Sequence, residues 1–449
     1  MIKKMLKAAG LMLSILGLFS VDGQAMIDGI SGATAFNFTA KTDYITTPDG
    51  GRLLIWGYAN QGGRAQYPGP TTIVNQGDTL TFTLANTLTV PVSIVFPGQE
   101  GVTAVTTGTT ACANPGILTC EAPPGGSVTY SFTASRAGTY VYHSGTSAEL
   151  QIEMGLVGAL IVRPSLGMGY AYNHADTAFD RETLFVLTEM DPRIHELVAF
   201  QGLAALEATD YLTDYFPTYW FINGRAAPDT MSAANASWLP TQPYDCMPRM
   251  HPGERLLMRV IGAGRDLHPY HHHGNHARVI ARDGRLLESA AGSGPDLSYQ
   301  VFTIQSIPGE TVDAIFEWTG KDLGWDIYGN LKAGPQYAHT CNGKALDDPS
   351  GATSPGYDPV TKEYCPDHGK DFPVTLPETQ ELTIGGFYSG SPYLGTLGSL
   401  PPGEGGMNPN AGFTFMWHSH TEKEMTNYDI FPGGMMTMLI IEPPGVHIH

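Results

Sequence analysis

Apolar residues along this chain come in short alternating runs broken by Gly, Pro, Asn and Asp. Arg52-Leu-Leu-Ile-Trp56, Thr79-Leu-Thr-Phe-Thr-Leu84, Val128-Thr-Tyr-Ser-Phe132 and Thr139-Tyr-Val-Tyr142 are examples. A period of two with β-branched and aromatic residues predicts strands that present one face to a core. Gly155-Leu-Val-Gly-Ala-Leu-Ile-Val162 is apolar throughout and stops at Arg163-Pro164, which reads as a closing strand and a boundary. The same grammar restarts at Thr183-Leu-Phe-Val-Leu187. It continues through Phe221-Ile-Asn-Gly224, Pro252 to Val260 and Pro308 to Phe316, and closes at Gly434 to Pro443. Each closing run follows an aromatic strand ending in histidine, TYVYHSG in one half and FMWHSH in the other. The chain therefore reads as an internal repeat of two domain-sized β units.

The expected division is a first β domain over residues 26–165, a linker over 166–182 and a second β domain over 183–449. Between about 324 and 409 the strand pattern fades, which marks a long loop insertion in the second domain. Loose helical spacing of Leu203, Leu206 and Tyr211 predicts a helix near 199–215. Composition agrees with an all-β class, because 54 Gly and 33 Pro supply many turns for only 15% charged residues.

Residues 1–25 read differently. Lys3, Lys4 and Lys7 precede an apolar run from Ala8 to Phe19, and Gly23-Gln24-Ala25 offers small residues for cleavage. This is the pattern of a secretory signal peptide, so export to the periplasm or the extracellular space is expected. No later stretch approaches the roughly 18 apolar residues of a membrane helix, so no transmembrane segment is expected. The formal net charge of −19 excludes a phosphate-backbone partner, hence no nucleic acid. Export permits disulfides. Cys112/Cys120 and Cys341/Cys365 each close a short loop, which leaves Cys246 over.

The chemistry concentrates in histidine. Leu267-His268-Pro269-Tyr270-His271-His272-His273-Gly274-Asn275-His276 holds five of the fifteen histidines in nine residues. On a strand, His271 and His273 share one face and His272 takes the other. The same parity puts His418 and His420 on one face and Ser419 on the opposite one. Two His-x-His pairs on neighbouring strands would make a nitrogen-rich metal site suited to Cu, Zn, Ni or Fe rather than to hard cations. His276 is a fifth candidate.

These segments resemble the multicopper oxidase family, which is built of cupredoxin β-barrels. Its His-Pro-x-His-x-His-Gly segment matches His268-Pro-Tyr-His271-His-His273-Gly274, and its closing His-Cys-His stands here as His418-Ser419-His420. In the first domain, Tyr67-Pro-Gly-Pro to Gly77-Asp78 and Gly138-Thr-Tyr-Val-Tyr-His143-Ser match the opening-domain strands. The resemblance implies tandem cupredoxin-like Greek-key barrels or sandwiches. It also implies copper, with His143, His271, His273, His418 and His420 as the counterparts of five of the family's eight cluster histidines.

The departures are equally informative. Val95 and Pro97 stand where first-domain histidines are expected. At the blue (type 1) site His268 remains, but Ser419 replaces the cysteine, Glu424 the second histidine and Asp429 the axial methionine. Without thiolate donation no type 1 copper is expected, only copper of the type 2 or type 3 kind on histidines. Met425, Met435, Met436 and Met438 offer thioethers as soft ligands for Cu(I), against which stands apolar packing in the closing strand, the preferred reading for Met436 and Met438. Electrons would then come from an external donor or protein partner, and a homo-oligomer is a further way to complete the cluster. The expectation is a secreted copper protein, oxidoreductase or copper-handling. Its alternative is a metal-free scaffold working through protein contacts.

Overall fold

The structure is a computed structural model, and it describes residues 27–106, 119–320, 390–392, 413–442 and 448. The expected signal segment, Cys112, Cys341, Cys365 and all but three residues of the expected insertion lie outside the described residues. Cys120 is buried, and Cys246 is a free, buried thiol.

Four sheets form two β-sandwiches, as the alternating runs predict. In the N-terminal sandwich a six-stranded sheet is centred on Arg52–Asn60, Ala35–Thr46, Thr79–Asn86 and Ser127–Thr133. Thr79–Asn86 buries every second residue, so Leu80, Phe82 and Leu84 enter the core while the threonines between them face outward. The facing four-stranded sheet contains Gly69–Asn75, Val157–Arg163 and Gly138–His143. Val157–Arg163 is buried at every position, which explains its unbroken apolar run. One face lies on the N-terminal core, and Val157, Ala159 and Ile161 on the other join a core shared with Leu184, Val186 and Phe221.

The C-terminal sandwich has one sheet with Arg181–Met190, Arg255–Gly262, Thr311–Glu317 and Ala277–Arg282. Its other sheet runs through Met436–Ile441, Phe413–Ser419, His268–His272 and Thr303–Ser306. Between them lies an aromatic core with Phe185, Tyr270, Phe316, Trp318, Phe413, Phe415 and Trp417. Met435 belongs to this core. A buried ion network clamps the two sandwiches together. Glu182 takes Arg163 on one side and Arg259 at 3.0 Å on the other, while Thr139 Oγ1 donates to Asp313 at 2.5 Å. Such a network is costly to break, because removing one partner strands the other charge out of water.

Of the helix expected near 199–215 only Leu203–Glu207 forms, Tyr211 lying beyond it; a separate helix, Pro192–Phe200, precedes it, with Gly202 at φ 83° between them. Glycine in that conformation breaks a helix that spacing alone would have continued. The expected linker is packed rather than loose. Ala171, Tyr172 and Phe179 are buried against Leu257, Ile280 and Ile315.

Candidate metal centre

Antiparallel pairing of His268–His272 with Phe413–Ser419 places Tyr270 opposite Ser419, His271 opposite His418 and His272 opposite Trp417. That register sets the two histidine pairs on one face of the sheet and sends Trp417 and Ser419 to the other. The strand ends at His272, and Gly274 at φ 105° turns the chain against the Phe415 ring. The turn still leaves His273 beside His271, with ring centroids 4.5 Å apart.

His271, His273 and His418 each offer a ring nitrogen within 4.8 Å of the others, and all three are buried. His418 Nδ1 donates to the Ser419 carbonyl at 2.7 Å, so its Nε2 carries a free lone pair. That Nε2 faces Nε2 of His273 at 3.0 Å. His271 Nδ1 is hydrogen-bonded to Thr303 Oγ1 at 2.9 Å, which orients the ring and leaves its Nε2 open. His273 Nδ1 is buried without a hydrogen-bond partner. Burial, reinforced by the neighbouring rings, depresses His271 to about 4 and His273 to about 3. Burial also lowers His418. All three rings are therefore neutral near pH 7, the state in which imidazole binds a metal without first losing a proton.

Three neutral imidazoles with converging nitrogens and one orphaned buried ring nitrogen fit a copper ion. His420 is exposed at the rim, with its ring centroid 5.0 Å from His271 and 5.7 Å from His418. His276 is exposed and stacks edge-on against Phe302 instead. His272 points the other way, into the aromatic core beside Phe316 and Trp417. His143 stands apart in the N-terminal sandwich, with Nδ1 donating to the Ser144 carbonyl and its backbone bridged to Val95.

His268 belongs to a different arrangement. It is fully buried, with Nε2 2.8 Å from Glu189 Oε2 and Nδ1 2.9 Å from Glu424 Oε2. Burial pushes the ring down, but the two carboxylates outweigh it and hold His268 at about 10. It is a buried imidazolium at neutral pH, and neither nitrogen has a lone pair for a metal. Ser419 Oγ is buried and accepts from the Thr421 N–H at 3.2 Å. Asp429 is an exposed turn residue at φ 64°. Sequence reasoning missed Glu189 and Thr303. The one signal for Glu189 was a carboxylate directly after the apolar run 184–187 and Thr188.

Residues 45–166 match the multicopper oxidase family model. Laccase-2 of Cryptococcus neoformans var. grubii is 26% identical over 284 residues, which cover 60% of this chain and 44% of that protein. L-ascorbate oxidase of Cucumis sativus is 37% identical over 112 residues, covering 24% and 18%. The chain spans less than half the length of the curated relatives it matches. Among solved structures, the multicopper oxidase mgLAC superposes with a TM-score of 0.54 at 18% identity, over 92% of this chain and 87% of that one. The blue copper oxidase from Nitrosomonas europaea gives 0.53 at 18% identity over 90% and 85%. Those two likenesses speak for the cupredoxin-like fold. Over residues 45–166 the chain is thus similar to the multicopper oxidase family, and the fold it shares with those structures is cupredoxin-like.

Proposed function

We propose that this chain is an exported copper protein that binds copper through His271, His273 and His418, with His420 at the rim, and holds no type 1 copper. The observation that carries the reading is the convergence of three neutral, oriented imidazoles on one face of the sheet. Copper bound there would supply one-electron redox chemistry. The chain's own part is to fix the rings. Thr303 orients His271, the Ser419 carbonyl holds His418 in the tautomer that frees Nε2, and the surrounding apolar wall keeps the rings neutral. Oxidase, reductase and copper-handling roles all remain compatible with this donor set, and electrons would arrive from a donor outside the chain.

The test is metal content and spectrum. The protein freed of metal and then given Cu(II) should retain copper through a desalting column and show weak visible absorption without the intense band of a thiolate site. His271→Ala and His418→Ala should each lose that copper. Wild type that keeps none would favour a scaffold acting through protein contacts, the role suggested by Val95 and Pro97 in place of first-domain histidines.

A further inference from the structure

The imidazole of His268 is sealed on both edges by carboxylates, in a place where no side chain of the copper reading has a task. A neutral ring can donate from one nitrogen only, so a second carboxylate would then face a lone pair. With both glutamates ionised, only the doubly protonated ring satisfies Glu189 and Glu424 together. The carboxylates also lie at opposite edges of the ring, so one metal ion cannot meet His268 and both of them.

The clamp is anchored beyond His268. Glu189 Oε1 accepts the backbone N–H groups of Arg265 at 2.5 Å and Asp266 at 3.0 Å, the residues that lead into the His268–His272 strand. A side chain at Gly264 would run into the Glu189 carboxylate, so that close approach depends on glycine. Tyr215 reaches Glu189 at 3.5 Å and donates to Glu153 at 2.8 Å. Glu153 accepts from the Asp191 N–H and lies 3.4 Å from His195, whose Nδ1 donates to the Leu54 carbonyl at 2.6 Å. The chain of polar groups therefore runs from the short helix Glu422–Met425 across to the N-terminal sandwich. Other charges around it are Asp266, Arg265 over the Tyr215 ring, Arg193 paired with Asp191 and Lys423 over the Phe216 ring.

The structure assigns His268 a positioning role. As an imidazolium clamped between Glu189 and Glu424, it fixes the start of the five-residue His268–His272 strand so that His271 meets His418 across the ladder. Its effect on copper rests on the proposed reading of the histidine cluster, but its effect on the strand does not. Without the imidazolium, two buried carboxylates face one another with no countercharge. The strand must then shift, or a proton must enter.

The experiment uses the full mature chain with His268→Gln and Glu424→Gln beside wild type. Nitrogen NMR of metal-free wild type should show both His268 nitrogens protonated at pH 8. Amide exchange at His271 and His272 should be faster in both variants. Cu(II) affinity, measured by chelator competition, should fall roughly 10–100-fold in His268→Gln, the scale of losing a group that orients metal ligands. A His268 ring that loses its proton below pH 7 would overturn the clamp. A folded His268→Gln protein with unchanged exchange and unchanged copper affinity would overturn the positioning role. If His268→Gln does not fold, Glu424→Gln decides by the same two readouts. If wild type takes up no copper, the cluster reading falls, and amide exchange alone judges the positioning role.

Discussion

His268 and His271 are three residues apart on one strand, yet their rings live in opposite chemistry. His271 has one nitrogen tied to a threonine hydroxyl and the other open toward two more imidazoles, and its pKa is driven down to about 4. His268 has both nitrogens on carboxylates and is driven up to about 10. Burial disfavours the charged form at both positions. What differs is the partner across each face of the sheet: imidazoles cannot repay a proton, and carboxylates can. Histidine content alone therefore does not identify a ligand. One of these rings is available for metal and the other is a fixed cation.

The largest break in that contrast should come from the carboxylate side. Glu189→Ala removes the acceptor of His268 Nε2 and of two backbone N–H groups, leaving the cation to Glu424 alone, and should cost about 3 kcal/mol of unfolding free energy in denaturant titration, the low end of the range for a broken buried pair. His271→Ala should cost the metal-free protein much less, since no charge is stranded. On the metal side the order should invert. His418→Ala should abolish copper retention, whereas Thr303→Val, which frees the His271 ring to rotate, should weaken it about 10-fold by chelator competition.

The pH profile sharpens the contrast further. His268 has a folded pKa of about 10, against roughly 6.5 for an unfolded histidine. Its stabilising contribution is thus complete below about pH 6.5 and is lost progressively as pH rises to about 10. Metal-free wild type should show this alkaline loss in denaturant midpoints, and His268→Gln should lack it. The smallest expected effect is that of Ser419→Cys. The single change should not create an intense thiolate-to-copper absorption, because His268 stays bound on both sides and Glu424 still occupies the second ligand place. Such a band on adding Cu(II) would show that the carboxylate clamp yields to metal.

Much of the molecule could be read from side-chain order. Alternation in Thr79–Asn86 and the unbroken apolar run of Val157–Arg163 reported one-sided and two-sided burial correctly. Parity assigned His271 and His273 to one face and His272 to the other; the ladder separates His271 from His272, and the turn after His272 brings His273 beside His271. The helix near 199–215 was legible only in part: it is confined to Leu203–Glu207, after Gly202, and the longer helix Pro192–Phe200 lies upstream. His268 was grouped with the metal candidates because a local motif carries no information about Glu189, which is 79 residues away.

What the order of residues determined by itself is periodicity, and with it strands and the opposite faces of His418 and Ser419. These follow from backbone geometry, which is local. Only the tertiary structure decided which strand lies opposite His271, and that two carboxylates converge on His268. Those contacts are non-local, and the charge state of a buried imidazole depends entirely on the groups that replace water around it.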